Sequence, residues 1–147
     1  MADTTFTNGV TLTDADWFND VNRLHYTILA DPSDAAGVNN ALPIAQLSKS
    51  ADYTLVLSDA QKHILHPAAD TNNRTFTIPA NSSVAYPTGT IIAFVNQVNT
   101  VTIAITTDTL TLAGAGSTGS RTLAVNGVAV ALKVTSTSWV IWGTGLT

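Results

Sequence analysis

The sequence lacks cysteine and glutamate, and it has few charged residues of either sign. Only 11% of its 147 residues are charged, against about 25% in a typical soluble domain. The absence of cysteine excludes disulfide bonds and thiolate chemistry. Long charged side chains normally keep the strand edges of soluble monomers apart. We therefore expect much of the surface to be covered by neighbouring copies of the same chain.

The six cations are scattered, and the net charge is −4. No basic stripe is present to neutralise phosphates, which argues against nucleic-acid binding. No apolar run approaches the roughly 20 residues that a membrane-spanning helix needs, so no membrane insertion is expected. The first ten residues contain neither a basic nor an apolar segment, so a Sec-type export signal is not indicated.

The N-terminal part of the chain contains one helical pattern. Residues 1–10 are interpreted as an extended arm, Thr13 is the candidate N-cap, and the helix is expected to end at Asp31 because Pro32 follows it. Its apolar stripe consists of Trp17, Val21, Leu24 and Ile28. The spacing fits a helix packed on its own β domain and equally a short bundle with symmetry mates. These four residues are the candidates for oligomerisation and attachment.

From residue 51 onward the apolar pattern changes to a period of two, which is typical of strands. Residues 91–105 predict a central hairpin whose continuous apolar first arm fits a strand covered on both faces. Asn126 and Gly127 predict a second hairpin, because both accept positive φ. Further short strands are predicted at residues 53–57, 63–66, 75–78, 84–86, 110–112 and 139–142.

These patterns predict a mainly β protein with two parts. Residues 1–50 form the arm, the amphipathic helix and a connector. Residues 51–147 form an antiparallel β-sandwich, or a barrel-like or prism-like domain, of nine or ten short strands.

The residue types that carry catalysis or bind metals are few. His63 and His66 are three residues apart on a predicted strand, so they point to opposite faces, and we expect surface or intersubunit histidines rather than a zinc site. Asp59, Asp70 and Asp108 lie in predicted turns, where aspartate is structurally favoured. No nucleophile elbow accompanies them. We expect no enzyme, no cofactor and no metal.

Three aromatic residues are candidates for contact with a glycan: Tyr86, Trp139 and Trp142. Trp139 and Trp142 fall on opposite faces of one strand, so at most one of them shares an exposed platform with Tyr86. The alternative is that one tryptophan fills the core and the other lies at a subunit boundary.

Two parts of the sequence resemble bacteriophage tail-fibre and related virion appendage proteins. The opening FTNGVTLTDADWFNDVNRLHYTILADP resembles their N-terminal segments, in which an acid-Trp-x-Asn-Asp-x-Asn helix follows a short extended arm. The later stretches FTIPANSSVAYPTGTIIAFVNQ and WVIWGTGL are similar to β modules of phage fibres. The resemblance implies a homotrimer with the helix near the attachment end and the β module projecting outward.

The expected function is that of a non-enzymatic virion structural protein, a homotrimeric short fibre of the tail or the head. Its partners would be its own copies and other phage virion proteins, and assembly would take place in the host cytoplasm. The alternatives are a capsid decoration protein and a carbohydrate-binding module that recognises a host surface glycan.

Overall fold

Parallel stacking of short strands organises the β domain. A computed structural model describes residues 44–147, and these residues form one unit. The strands in this part of the chain are β1 (Gln46–Ser48), β2 (Tyr53–Thr54), β3 (His63–His66), β4 (Arg74–Ile78), β5 (Ile91–Asn96), β6 (Val101–Ile105), β7 (Thr109–Leu112), β8 (Arg121–Thr135) and β9 (Ser138–Leu146). One 3₁₀ turn at Leu57–Asp59 accompanies them. The prediction of a mainly β protein is confirmed.

The first six strands build two parallel stacks. β1, β3 and β5 pair in parallel, and β2, β4 and β6 do the same. The chain passes from one stack to the other between successive strands. Two successive strands, one in each stack, therefore form one layer, which we call a rung, and the rungs are β1–β2, β3–β4 and β5–β6. The stacking is solenoid-like. The prediction of an antiparallel sandwich, barrel or prism is wrong for these strands.

β8 closes the edge that the last rung would leave open. Its second half pairs antiparallel with β5, and its first half pairs antiparallel with β6. β9 returns antiparallel along β8, and β7 pairs in parallel with β9. One long strand thus covers both arms of the third rung, and an unpaired strand edge there would be a site of uncontrolled association.

The predicted central hairpin is wrong, although its two strands exist. β5 and β6 are the two arms of one rung, and each bonds to the rung below and to β8 rather than to the other. The outward residues of β5 are also not fully covered within this chain, since Ile91 is 39% exposed. The continuous apolar run of residues 91–95 predicted a strand covered on both faces, but a single copy of the chain covers only one of them fully.

The second predicted hairpin is wrong as well. β8 continues through Asn126, which has a φ of 59°, and its register with β9 shifts between Leu123 and Val128. This irregularity separates the part of β8 that pairs with β6 from the part that pairs with β5, and we call it the bend of β8. The predicted strand at residues 84–86 is not formed, because these residues lie in a turn and the loop after it.

Inward side chains from both stacks form one core. Its fully buried large members include Phe76, Phe94, Ile64, Ile103 and Trp139. Each comes from an alternating position of its strand, which is why the period of two located most of the strands correctly. The core is therefore shared by the rungs and the closing strands.

The extended arm of residues 1–10, the predicted helix with Trp17, Val21, Leu24 and Ile28, His25 and the connector up to residue 43 lie outside the described residues. β1 belongs to the segment that the sequence assigned to the connector. Within residues 44–147, no helix has the length and apolarity needed to cross a membrane.

Gly143 provides a test of how closely β9 approaches β8. It is the register partner of Ala129, and a Cβ at this position would lie 2.1 Å from the carbonyl oxygen of Val128 and 2.6 Å from the Cα of Ala129. Neither backbone atom can rotate away, so Gly143→Ala is expected to lower the free energy of unfolding by roughly 1–3 kcal/mol. Urea-induced unfolding measures this loss.

The control is Thr144→Ala, since Thr144 is the exposed neighbour of Gly143 on β9. We expect it to change stability by less than about 0.5 kcal/mol. Equal stability of the two variants would contradict the close contact between β8 and β9.

Candidate functional site

Four polar residues form a cluster at the corner where each rung passes from one stack to the other. This corner cluster consists of Asn96, His66, Asp70 and Arg74. His66 ends β3 and Asn96 ends β5, and the two are register partners in adjacent rungs. His66, Asn96 and Asp70 are buried, and Arg74 is half-buried. Buried polar groups are costly unless they are hydrogen-bonded, so their partners decide what the cluster does.

The side-chain amide of Asn96 binds the bend of β8. Its nitrogen lies within hydrogen-bonding distance of the carbonyl oxygens of Asn99 at 3.0 Å, Leu123 at 3.1 Å and Ala124 at 2.9 Å. Both of these β8 carbonyls, of Leu123 and Ala124, lie at the start of the segment where the register of β8 with β9 shifts. Asn96 therefore supplies donors to backbone acceptors at the bend of β8.

Both ring nitrogens of His66 face oxygen atoms. Nδ1 lies 2.8 Å from Oδ1 of Asn96, and Nε2 lies 3.2 Å from Oδ2 of Asp70. Because the nitrogen of Asn96 is committed to carbonyls, its Oδ1 accepts the proton of Nδ1. No ring nitrogen of His66 is left for a metal ion or for a nucleophile.

Asp70 is held by an unusually complete set of donors. Arg74 donates from Nε to Oδ2 at 2.6 Å and from Nη2 to Oδ1 at 3.0 Å, and the side-chain amide of Asn72 donates to Oδ1 at 2.8 Å. The Arg74 guanidinium, followed by the Asn72 amide, holds the pKa of the Asp70 carboxyl well below its ordinary value. A carboxylate in this state is a poor proton acceptor, so the arrangement favours a structural role over general base catalysis.

A second buried group surrounds the ammonium of Lys133. Its Nζ donates to Oδ1 of Asn81 at 2.7 Å and lies 5.3 Å from the ring centroid of Trp139, and the backbone N–H of Asn81 donates to Oδ2 of Asp108 at 3.1 Å. Burial lowers the pKa of Lys133, and the nearby Asp108 opposes that shift. The bond to Asn81 and the aromatic ring partly replace the water that the ammonium loses.

Asp59 anchors the loop after β2. Its carboxylate accepts from the backbone N–H of Val56 at 2.8 Å and from the hydroxyl of Tyr53 at 2.9 Å, and Tyr86 donates to the carbonyl of Val56 at 2.6 Å. Burial, together with the bond to Asp59, raises the pKa of Tyr53 to about 12. This carboxylate is buried and hydrogen-bonded. The sequence predicted a turn at Asp59 but did not predict its burial.

The structure separates the three residues predicted to contact a glycan. Tyr86 and Trp139 are buried and pack edge to face with their ring centroids 5.5 Å apart, whereas Trp142 is 42% exposed. Trp139 and Trp142 lie on opposite faces of β9, as the spacing predicted. In the described residues, Trp142 alone of the three has a ring available for stacking on a sugar.

The histidine and aspartate predictions have mixed outcomes. His63 and His66 lie on opposite faces of β3, as predicted, but His66 is a buried member of the corner cluster rather than a surface residue. Asp70 follows a turn and Asp108 lies in a bend, as predicted. Across residues 44–147, no group of three or more His, Asp or Glu side chains is arranged to hold a metal ion.

Sequence reasoning missed the corner cluster and Lys133, although one signal was present. His66, Asn96 and Lys133 occupy inward positions of alternating strands, where an apolar residue is expected. A polar residue on the core side of a strand indicates a buried hydrogen-bonded network.

A contiguous apolar face lies on the outer side of β5, β8 and β9. It consists of the outward residues Ile91, Ala93 and Val95 of β5, Val128, Val130 and Leu132 of β8, and Val140 and Trp142 of β9. We call this set the outer apolar face. The outward side of β4, β6 and the start of β8 is different, since it carries Thr75, Thr77, Thr102 and Thr122. We call this second set the threonine face.

Comparison with known proteins finds no matching family model and no similar protein or solved structure. What the chain does is therefore inferred from its own residues. Those residues offer three buried polar groups engaged in intramolecular bonds, namely the corner cluster, Lys133 and Asp59, and one apolar face.

Asn96→Asp tests whether the amide nitrogen holds the bend of β8. The substitution keeps the size of the side chain but sets a carboxylate oxygen against the carbonyls of Leu123 and Ala124. We expect stability to fall by roughly 2–4 kcal/mol, because buried acceptors lose their donor and a charge is buried without a partner. Equilibrium unfolding in urea measures the change.

The matched control is Asn73→Asp. Asn73 is exposed, and its Oδ1 accepts from the backbone N–H of Thr100, a bond that aspartate retains. It should cost little. Similar losses for both variants would show that a generic effect of added negative charge, and not the Asn96 amide, is responsible.

Asp70→Asn tests the ion pair with Arg74 through its pH dependence. The pKa of Asp70 is lower in the folded state than in the unfolded chain. The pairing therefore contributes stability above the unfolded-state value of about 4, and this contribution is lost as pH falls below it. We expect the variant to be less stable than the parent protein at neutral pH, with the difference shrinking on acidification.

Urea unfolding at neutral pH and at about pH 3 measures this change. Asp52→Asn is the control, because an amide oxygen still accepts the backbone N–H of Thr75 that binds Asp52. A stability difference between Asp70→Asn and the parent protein that stays constant with pH would argue against the ion pair.

Proposed function

We propose that this chain is a non-enzymatic structural protein of a bacteriophage virion, a homotrimeric short fibre attached through its N-terminal segment. The observation that carries the proposal is the outer apolar face in a chain with only 11% charged residues. An apolar face of this kind on a soluble protein marks an interaction site. Other copies of the same chain would shield this face from water. The resemblance to phage appendage proteins suggests a virion as the assembly in which such copies occur.

The chemistry of the buried polar groups is consistent with this role. In the described residues, His66, Asp70 and Lys133 are each engaged by neighbouring side chains. Groups used in this way support a fixed fold and do not offer free nucleophiles or bases. A virion component must be stable rather than catalytically active. The stacked rungs and the hydrogen-bonded corner cluster stabilise the fold.

The glycan-binding alternative has less support in the described residues. A sugar-stacking platform uses exposed aromatic rings, and Tyr86 and Trp139 are buried. Trp142 remains, and its neighbours on β8, Val128, Val130 and Leu132, are aliphatic rather than the polar groups that bind sugar hydroxyls.

The proposal predicts the mass of the full-length protein in solution. Sedimentation equilibrium at micromolar concentration is expected to give three times the 15.3 kDa of one chain. Leu24→Ser, on the predicted helical stripe, should weaken the trimer, whereas Arg23→Ser on its polar side should not. A stable monomer would count against a homotrimeric fibre.

The virion setting has its own measurement. Mass spectrometry of purified particles of the phage that encodes the chain should detect it among the particle proteins. Its absence from intact particles that carry all other encoded structural proteins would rule out the proposed role.

A further inference from the structure

We propose that the outer apolar face is a contact between copies of this chain, in which the same face of each copy meets the others around the symmetry axis of the trimer. The inference rests on the proposed function in one respect, namely that the chain acts in several copies. It adds the location of the contact on the β domain, separate from the predicted helical stripe in residues 1–50.

The register of the strands makes the face continuous. Ile91, Leu132 and Val140 lie side by side across β5, β8 and β9, and Ala93, Val130 and Trp142 form the next row. Val95 and Val128 continue into a third row that Thr144 completes. Eight of these nine outward positions are apolar, so no polar residue divides the face.

Each row of the face has one apolar member that is exposed in a single copy, and the other apolar members are half-buried. Ile91 is 39% exposed, Val128 is 44% exposed and Trp142 is 42% exposed. Fully burying a side chain of this kind stabilises an association by up to about 1.5–3 kcal/mol. The single exposed tryptophan among the described residues lies in the middle row, and tryptophan is over-represented among the residues that dominate binding energy.

The dimensions fit the centre of an interface. Strands about 4.8 Å apart with a rise of about 3.4 Å per residue make the grid roughly 10 by 14 Å between Cα positions. A stable interface covers about 800 Å² on each partner and surrounds an apolar centre with a polar rim. The face supplies such a centre, and polar residues such as Thr144 and His63 border it.

Charge identifies the occupant as another copy of the chain. β1, β3, β5 and β9 contain no Lys, Arg or Asp, and Lys133 of β8 points into the core. A partner with a charged surface would have to desolvate its charges against this face without compensation. The same face of another copy carries no charge to desolvate.

The threonine face shows that the apolar character is specific to one side. Both faces lie on the outside of the same stacked rungs, and β8 contributes to each of them. The sequence places hydroxyl groups on one and aliphatic groups on the other. The side built from Thr75, Thr102 and Thr122 is suited to water, whereas the side built from Ile91, Val130 and Trp142 is suited to being covered.

The test compares Val128→Lys with Thr122→Lys in the full-length protein. Val128 and Thr122 are both exposed residues of β8, the first on the outer apolar face and the second on the threonine face. A lysine within the contact should weaken association by roughly 100-fold or more, because its charge is buried without a partner. Thr122→Lys should leave the association unchanged. Sedimentation velocity over a range of concentrations measures both, and circular dichroism confirms folding.

A second measurement covers the case in which Val128→Lys does not fold. The chain has no cysteine, so Val128→Cys and Thr122→Cys each introduce a single thiol of similar size to the residue replaced. In the assembled protein a maleimide should label the thiol at 128 at least about tenfold more slowly than the thiol at 122, because access controls the reaction. On dilution to monomers the two rates should converge.

The outcomes separate this inference from the proposed function. If the parent protein is an oligomer and both Val128 variants behave like their Thr122 counterparts, the face is not the contact, although a homotrimer still stands. If the parent protein is a monomer, the homotrimer fails and the contact fails with it. Weakened association and slow labelling at position 128 alone support the contact.

Discussion

The hydrogen bonds from the Asn96 side chain to the bend of β8 are the interaction on which the described structure depends. A stack of two-armed rungs needs a closing strand that follows both arms, and such a strand must bend at the corner between them. At the bend, the Asn96 amide donates to the carbonyls of Leu123 and Ala124, and Ala124 has no register partner on a neighbouring strand. Because unpaired buried carbonyls are costly, the closing strand holds its path only when a donor is placed beneath the corner.

The rung below supports that donor. Nδ1 of His66 donates to the side-chain oxygen of Asn96, and Nε2 of His66 faces Asp70, which Arg74 and Asn72 hold in turn. A continuous series of hydrogen bonds thus connects β8 to the third rung and the third rung to the second. A network of this kind is stabilising when every member is satisfied, and it specifies one arrangement of the corner. The same residues would suggest catalysis if they were met in an open cleft.

β9, the other closing strand, is held by close packing rather than by a network of hydrogen bonds. β9 packs against β8 so closely that Gly143 has no room for a Cβ, and Trp139 fills the core beneath Lys133. The opposite side of the same two strands remains apolar and exposed in one copy. The chain thus covers its last rung and still exposes an uncharged face. Such a face is suited to contact with other copies of the chain, and this connects the fold to the proposed role in an assembly.

The sequence by itself determined where most strands lie and which side chains they bury. Alternation located β3, β4 and β6, and it placed Trp139 and Trp142 on opposite sides of β9. Only the tertiary structure decided which strands pair. The four-residue connection between β5 and β6 fits a hairpin as well as a rung corner, and Asn126 adopts positive φ in a turn or at a register shift alike. The physical reason is that alternation is set by each residue's own neighbours along the chain, whereas a hydrogen-bonding partner is chosen among strand edges that are distant in sequence.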